Sequence, residues 1–195
     1  VAGWLQALLM IAIVPGCGGG GEGAVLFVDA EFDPASASDH FIGLSEANIG
    51  VAQTFTVLAD GKFEQFSIVV TDGVSLDTGV IRLTVRPLVG AVPDPSESSS
   101  IMIPIDVDTS TLPLTLDETF TIFDVGDDPG REVLEGQTYA IVVEFMRRSG
   151  IDTAPVARVY GQTGDPLPGE TGAVDPGSGY VVNTNDYFFR TFSLQ

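Results

Sequence analysis

The hydrophobic pattern changes character once along the chain. Residues 1–14 (VAGWLQALLMIAIV) form a nearly continuous apolar run with no charged side chain. That run is shorter than the roughly 20 residues needed to span a bilayer, and it matches the apolar core of an export signal. Pro15, Gly16 and Cys17 follow, then Gly18–Gly21, and the first charge is Glu22. From Ala24 onward the pattern is that of strands: short runs rich in Val, Ile, Thr and Phe, bounded by Gly, Pro, Asp and Asn.

The clearest alternation is in Gly79–Leu88, where Ile81, Leu83 and Val85 face one way and Arg82, Thr84 and Arg86 the other. A half-buried strand of an antiparallel sheet has this pattern. Thr138–Met146 predicts a central strand. Further strands are expected at Ala24–Asp29, Val51–Leu58, Phe63–Thr71, Ile101–Val107, Thr119–Asp124, Val156–Tyr160, Tyr180–Val182 and Tyr187–Phe192. In Val51–Leu58 the polar Gln53 interrupts a face shared by Val51, Phe55 and Val57. Pro104 assigns its strand to an edge or a bulge. Asp60-Gly61 reads as a tight turn from which Phe63–Thr71 returns. Asp33–Asn48 and the Pro/Gly-rich Asp165–Gly179 read as loops. No segment after residue 24 has a helical period. The expected fold is therefore all-β, a jelly-roll-like antiparallel β-sandwich over 24–195, following an N-terminal signal segment over 1–16 and a tether over 17–23.

Charge narrows the function classes. The chain has 27 Asp and Glu against 8 Lys and Arg, for a formal net charge of −19. No basic groove for nucleic acid can be assembled from so few cations, and a polybasic membrane patch is excluded on the same ground. With 44% hydrophobic residues, the chain has ample apolar surface for a core.

Val14-Pro15-Gly16-Cys17 resembles the bacterial lipobox, in which a Cys is acylated and becomes the new N-terminus. A small residue before the Cys admits a peptidase, and the thiol takes the diacylglycerol. Val14 stands where that motif more often has Leu, Pro15 is uncommon in it, and the basic start of a signal is missing. Cys17 is the only Cys of the chain, directly after the apolar run and before a Gly-rich tether. This resemblance implies a lipoprotein of the bacterial cell envelope, periplasmic or surface-exposed, held to the membrane at Cys17.

Three later segments carry a second resemblance: Ala52-Gln53-Thr54-Phe55-Thr56, then residues 134–143 (LEGQTYAIVV), then residues 186–192 (DYFFRTF). In order and spacing they are similar to the sandwich domains of bacterial surface proteins grouped as choice-of-anchor domains. That resemblance covers roughly residues 51–192 and implies an exported sandwich with a surface role. It supplies no catalytic residues.

The residues offer little for catalysis. His40 is the only His, and its neighbours Ser38 and Asp39 cannot form a nucleophile triad by adjacency in sequence. A zinc site lacks ligands, and Gly18–Gly21 and Gly161–Gly164 lack the Lys-Ser/Thr of a phosphate loop. Glycoside hydrolysis needs two carboxylates at a set separation, and 27 acids do not single out a pair. No cofactor is expected beyond calcium, which takes carboxylate and carbonyl oxygens. Asp124, Asp127 and Asp128 are its densest candidate ligands, with Asp106 and Asp108 as a second pair. For a glycan, Tyr180, Asn183 and Asn185 beside the long Gly-rich loop are the best local candidates. The expected function is a lipid-anchored, non-enzymatic envelope sandwich that binds or displays, with a glycan or an envelope protein as partner. The alternatives are a carbohydrate-binding accessory module assisted by calcium and, third, a glycan-active enzyme.

Overall fold

The computed structural model describes residues 26–32, 40–73, 78–114, 121–124, 132–148, 150, 154–164 and 169–194. In chain order the strands are β1 (Leu26–Phe32), β2 (His40–Leu44), β3 (Gly50–Thr56), β4 (Gly61–Ile68), β5 (Val70–Asp72), β6 (Gly79–Val89), β7 (Val92–Pro93) and β8 (Ile105–Asp108). They continue with β9 (Thr121–Asp124), β10 (Glu132–Val133), β11 (Thr138–Arg148), β12 (Ala157–Gln162), β13 (Gly172–Asp175), β14 (Val181–Val182), β15 (Asp186–Tyr187) and β16 (Phe189–Leu194). Two single turns of 3₁₀ helix are the only helical elements among the described residues. Every ladder is antiparallel, and the fold is an all-β sandwich.

The larger layer is a seven-stranded sheet in the order β14-β13-β3-β11-β6-β7, with β8 also on β6. The alternating Gly79–Leu88 segment and the expected central strand lie at its centre: β11 pairs with β3 on one side and with β6 on the other. Pro104 precedes β8, which among the described residues pairs only with β6, so the proline falls at an edge where its missing N–H costs no ladder bond.

The opposing layer has two sheets. One runs β1-β16-β4-β10, with β9 also on β4, and the other runs β15-β12-β2, with β5 also on β12. They meet where the β4–β16 pair splits. Phe189 opposes Ile68, but Val69 and Phe188 leave the ladder. β5 then follows β12 over Val159–Ala157, while β15 follows it the other way over Gly161–Gln162. Backbone bonds from Val69 N–H to Phe188 O, from Tyr160 N–H to Val69 O and from Phe188 N–H to Tyr160 O close the junction. Gly161 is required there, because a Cβ would lie 2.2 Å from the Asp186 carbonyl oxygen.

One apolar core joins both layers. Phe55, Ile81, Leu83, Val85, Ile141 and Val143 face it from the seven-stranded sheet. Phe63, Phe66, Ile68, Val133, Val159, Tyr187 and Phe189 face it from the other side. Stacked rings run through it, with Phe55–Phe63, Phe63–Phe66 and Phe66–Phe123 centroids 5.8, 6.3 and 5.3 Å apart.

Five sequence expectations need correction. Asp60-Gly61 does not close a hairpin: β3 and β4 belong to opposite layers, and the Asp60 carboxylate accepts the Glu135 N–H of a different turn at 2.8 Å. Phe63–Thr71 is two strands, because the chain changes sheet at Val69. The loop expected over Asp33–Asn48 contains β2, and the loop expected over Asp165–Gly179 contains β13, which pairs with the central β3. Gly161, expected in a loop, lies within β12.

Candidate functional site

The outward face of the seven-stranded sheet is floored by small residues, Ala52, Ala140, Val142 and Ala173. Arg86 lies across this floor with its side chain only 1% exposed. It opposes Ala140 in the ladder, and its partner Glu144 lies four residues further along the same face of β11. Both terminal nitrogens donate to the Glu144 carboxylate, Nη1 to Oε1 at 3.1 Å and Nη2 to Oε2. A forked pair of this kind fixes both side chains. Tyr180, from the turn between β13 and β14, covers the pair and donates its hydroxyl to Glu144 Oε1 at 3.3 Å. Gly50 makes room, since a Cβ there would lie 2.4 Å from that hydroxyl. Burial, reinforced by the neighbouring carboxylate, pushes the Tyr180 phenol well above its ordinary range.

Of the three residues expected to contact a glycan, Tyr180 therefore has its hydroxyl engaged within the protein. Asn183 and Asn185 serve an adjacent turn: Asn183 Oδ1 accepts the Asn185 N–H, and Asn183 Nδ2 donates to the Tyr187 hydroxyl at 3.0 Å. Burial pushes the Tyr187 phenol up to about 12. The same turn explains Gln53. Its side chain is fully buried on the core face, where Oε1 accepts the Tyr187 N–H at 2.7 Å and Nε2 donates to Asp186 Oδ1 at 3.3 Å. The polar residue that interrupts the β3 pattern is the clasp between the two layers.

An open aromatic surface lies elsewhere, on the outward face of β2 and β12. Phe41 and Tyr160 are cross-strand partners with ring centroids 5.7 Å apart, and Phe41 is 47% exposed. The Arg158 guanidinium stands 5.0 Å over the Phe41 ring. Opposite Arg158 in the ladder is Gly43, and Pro155 packs where its side chain would be. Among the described residues Arg158 has no carboxylate partner, although the chain is strongly acidic, and its buried Nε has no hydrogen-bond partner. Beneath Tyr160 lie Val69 and Phe188, with Phe32 against them. Sequence alone does not reveal this surface, because β2 lies in a segment that reads as loop. The available signal was Phe41-Ile42-Gly43-Leu44, a short apolar run followed by the polar Ser45 and Glu46.

The acidic candidates divide. Asp106 and Asp108 are exposed on one face of β8, as the alternation predicts. Both are engaged: Arg82 donates to both Asp106 oxygens at 2.6 and 2.9 Å, and Asp108 Oδ1 accepts the Ser110 N–H at 3.0 Å. The Arg82 guanidinium holds the Asp106 carboxyl below its usual range. Asp124 ends β9, while Asp127 and Asp128 lie outside the described residues, as does Cys17. The backbone of His40 opens β2. No cluster of three metal-ligating side chains occurs among the described residues, and no described helix is long and apolar enough to cross a membrane.

No protein-family model matches the sequence, no curated protein is significantly similar to it, and no solved structure matches its fold.

Proposed function

We propose that the protein is a lipid-anchored, exported, non-enzymatic β-sandwich of the bacterial cell envelope that presents a binding surface at the membrane. The observation that carries this reading is the order of segments: an apolar run, the single Cys17, a Gly-rich tether and then an acidic domain without any cysteine of its own. Such a domain is water-soluble and gains membrane residence only from an added chain. The resemblance of three sequence segments to those of choice-of-anchor sandwiches is in keeping with display at a surface. Cells expressing the full chain and fed an alkyne-tagged fatty acid test the reading. The wild type is expected to take up the tag, and Cys17→Ser is expected to lose it completely. Tagging of neither protein, or of both equally, contradicts the anchor.

A carbohydrate-binding role is favoured by one specific observation, the exposed Phe41 ring beside Tyr160 and Arg158, which has no carboxylate partner among the described residues. A sugar ring stacks on such a face, and guanidinium N–H groups reach its hydroxyl or carboxylate oxygens. On this reading Phe41→Ala weakens retention on an immobilised polysaccharide roughly tenfold, or about 1.4 kcal/mol, without loss of folding. Failure of the wild type to be retained on any polysaccharide tried sinks it.

A further inference from the structure

The strand registers identify which end of the sandwich receives the N-terminal segment. Leu26, the first residue of β1, opposes Leu194, and Leu194 opposes Lys62 at the start of β4. Gly61 opposes Val133 at the end of β10. In the other layer Thr56 opposes Thr138, and Pro87 opposes Tyr139. Residues 57–60 join Thr56 to Gly61, and residues 134–137 join Val133 to Thr138, so all these strand ends lie at one end of the molecule. A third turn there, Gly90-Ala91, closes the β6–β7 hairpin between Val89 and Val92.

The three turns at this end carry Leu58, Val89 and Leu134, which are 62%, 59% and 50% exposed. At the opposite end the turns Ser45-Glu46-Ala47-Asn48 between β2 and β3 and Asp175-Pro176-Gly177-Ser178-Gly179 after β13 are polar, and the exposed hydrophobic residue there is Leu114, beside Asp72. Eight residues separate Cys17 from Leu26, and nine Cα steps cover at most roughly 32 Å. An anchor at Cys17 therefore brings the end bearing the three hydrophobic residues to the bilayer.

We propose that Leu58, Val89 and Leu134 are a membrane-docking face that seats this end of the sandwich on a zwitterionic lipid surface. The proposal rests on the lipid-anchor reading. Weak insertion is enough, because the tether keeps the face at high effective concentration near the bilayer. The charges choose the lipid: among the described residues at this end, exposed Glu132, Glu135 and Asp60 outnumber Lys62, so an anionic bilayer repels it. Docking would also fix which sides of the sandwich face outward, including the Phe41 surface.

Site-specific quenching tests this. In the acylated protein the Cys17 sulfur is a thioether, so Leu58→Cys, Val89→Cys, Leu134→Cys and, as the control at the opposite end, Ser178→Cys each introduce one reactive thiol. Each full-length variant is labelled with a polarity-sensitive fluorophore and reconstituted into phosphatidylcholine vesicles bearing bromine on the acyl chains. Quenching of at least about twofold is expected at 58, 89 and 134 and none at 178. Phosphatidylglycerol is expected to reduce the quenching at low salt, and added salt to restore it. Equal, weak quenching at all four positions overturns docking, and stronger quenching with phosphatidylglycerol overturns the choice of lipid. Intact masses separate the failures: acylated protein without quenching leaves the anchor standing, whereas unacylated protein removes both proposals.

Discussion

Replacement of Glu144 by alanine is expected to lower stability by about 3–5 kcal/mol. Arg86 is 1% exposed, and its terminal nitrogens are both satisfied by that one carboxylate. Its Nε has no hydrogen-bond partner among the described residues. A guanidinium cannot escape by losing its proton, so the variant must bury an uncompensated charge or expel Arg86 and open the sheet face under Tyr180. The Tyr180 hydroxyl loses its acceptor in the same step. The pair itself is not a large net stabiliser, because desolvation offsets most of its attraction. Arg86→Met combined with Glu144→Leu is therefore expected to recover most of the loss. Urea midpoints at unchanged slope measure both effects. A single-variant loss under about 1 kcal/mol, within the range of surface pairs, would mean that the pair is solvated.

Phe55→Ala is expected to cost about 3–5 kcal/mol, the usual penalty for emptying a fully buried aromatic position. The Phe55 ring has centroids of Phe63, Tyr139 and Phe189 at 5.8, 6.1 and 6.2 Å. Phe63 and Phe189 belong to the opposing layer, so the ring is a contact between the sheets as well as within one. Phe55→Leu retains much of the volume and is expected to cost about 1–1.5 kcal/mol. Equal losses for the two variants would contradict a close-packed centre at this position. Arg82→Gln provides the contrast. Its exposed pairs with Asp106 and Glu97 place the loss at or below about 1 kcal/mol near neutral pH. The Asp106 part of that loss fades as pH falls below 3.8 and through the lower folded-state value, because the carboxylate that Arg82 stabilises is then protonated in both states.

Long strands that alternate strictly were legible because each residue's side is fixed by the pleat. Ile81, Leu83 and Val85 share one face as read, and that face is the core, where Tyr139, Ile141 and Val143 of the expected central strand join them. Edge placement of β8 followed from Pro104. Strands with little side-chain signal were not legible. β13 is Gly-Ala-Val-Asp, and its conformation is imposed by pairing with β3 rather than by propensity. β2 has Gly43 at its fourth position, where Pro155 packs. The change of sheet at Val69 leaves no mark in an unbroken run such as Phe66-Ser67-Ile68-Val69-Val70, because both sheets need apolar residues there.

The functional surfaces follow the same division. Arg86 was correctly assigned to the outward face, but its burial depends on Tyr180, brought over it by a hairpin far along the chain. Tyr180, Asn183 and Asn185 are close in sequence and do lie together, yet their polar atoms are used in holding the β13–β15 region. Phe41 and Arg158 are distant in sequence and meet only because β2 pairs with β12. Gln53 was visible as an irregularity, and its partners Asp186 and Tyr187 were not, since nothing local announces a clasp across the core.

The mass of the mature protein, extracted from native membranes and measured intact, is the most direct test of the account. It is expected to correspond to a chain that begins at Cys17 and carries a diacylglyceryl group, with or without a further acyl chain. A mass that includes residues 1–16, with the Cys17 sulfur bearing no lipid, would contradict it.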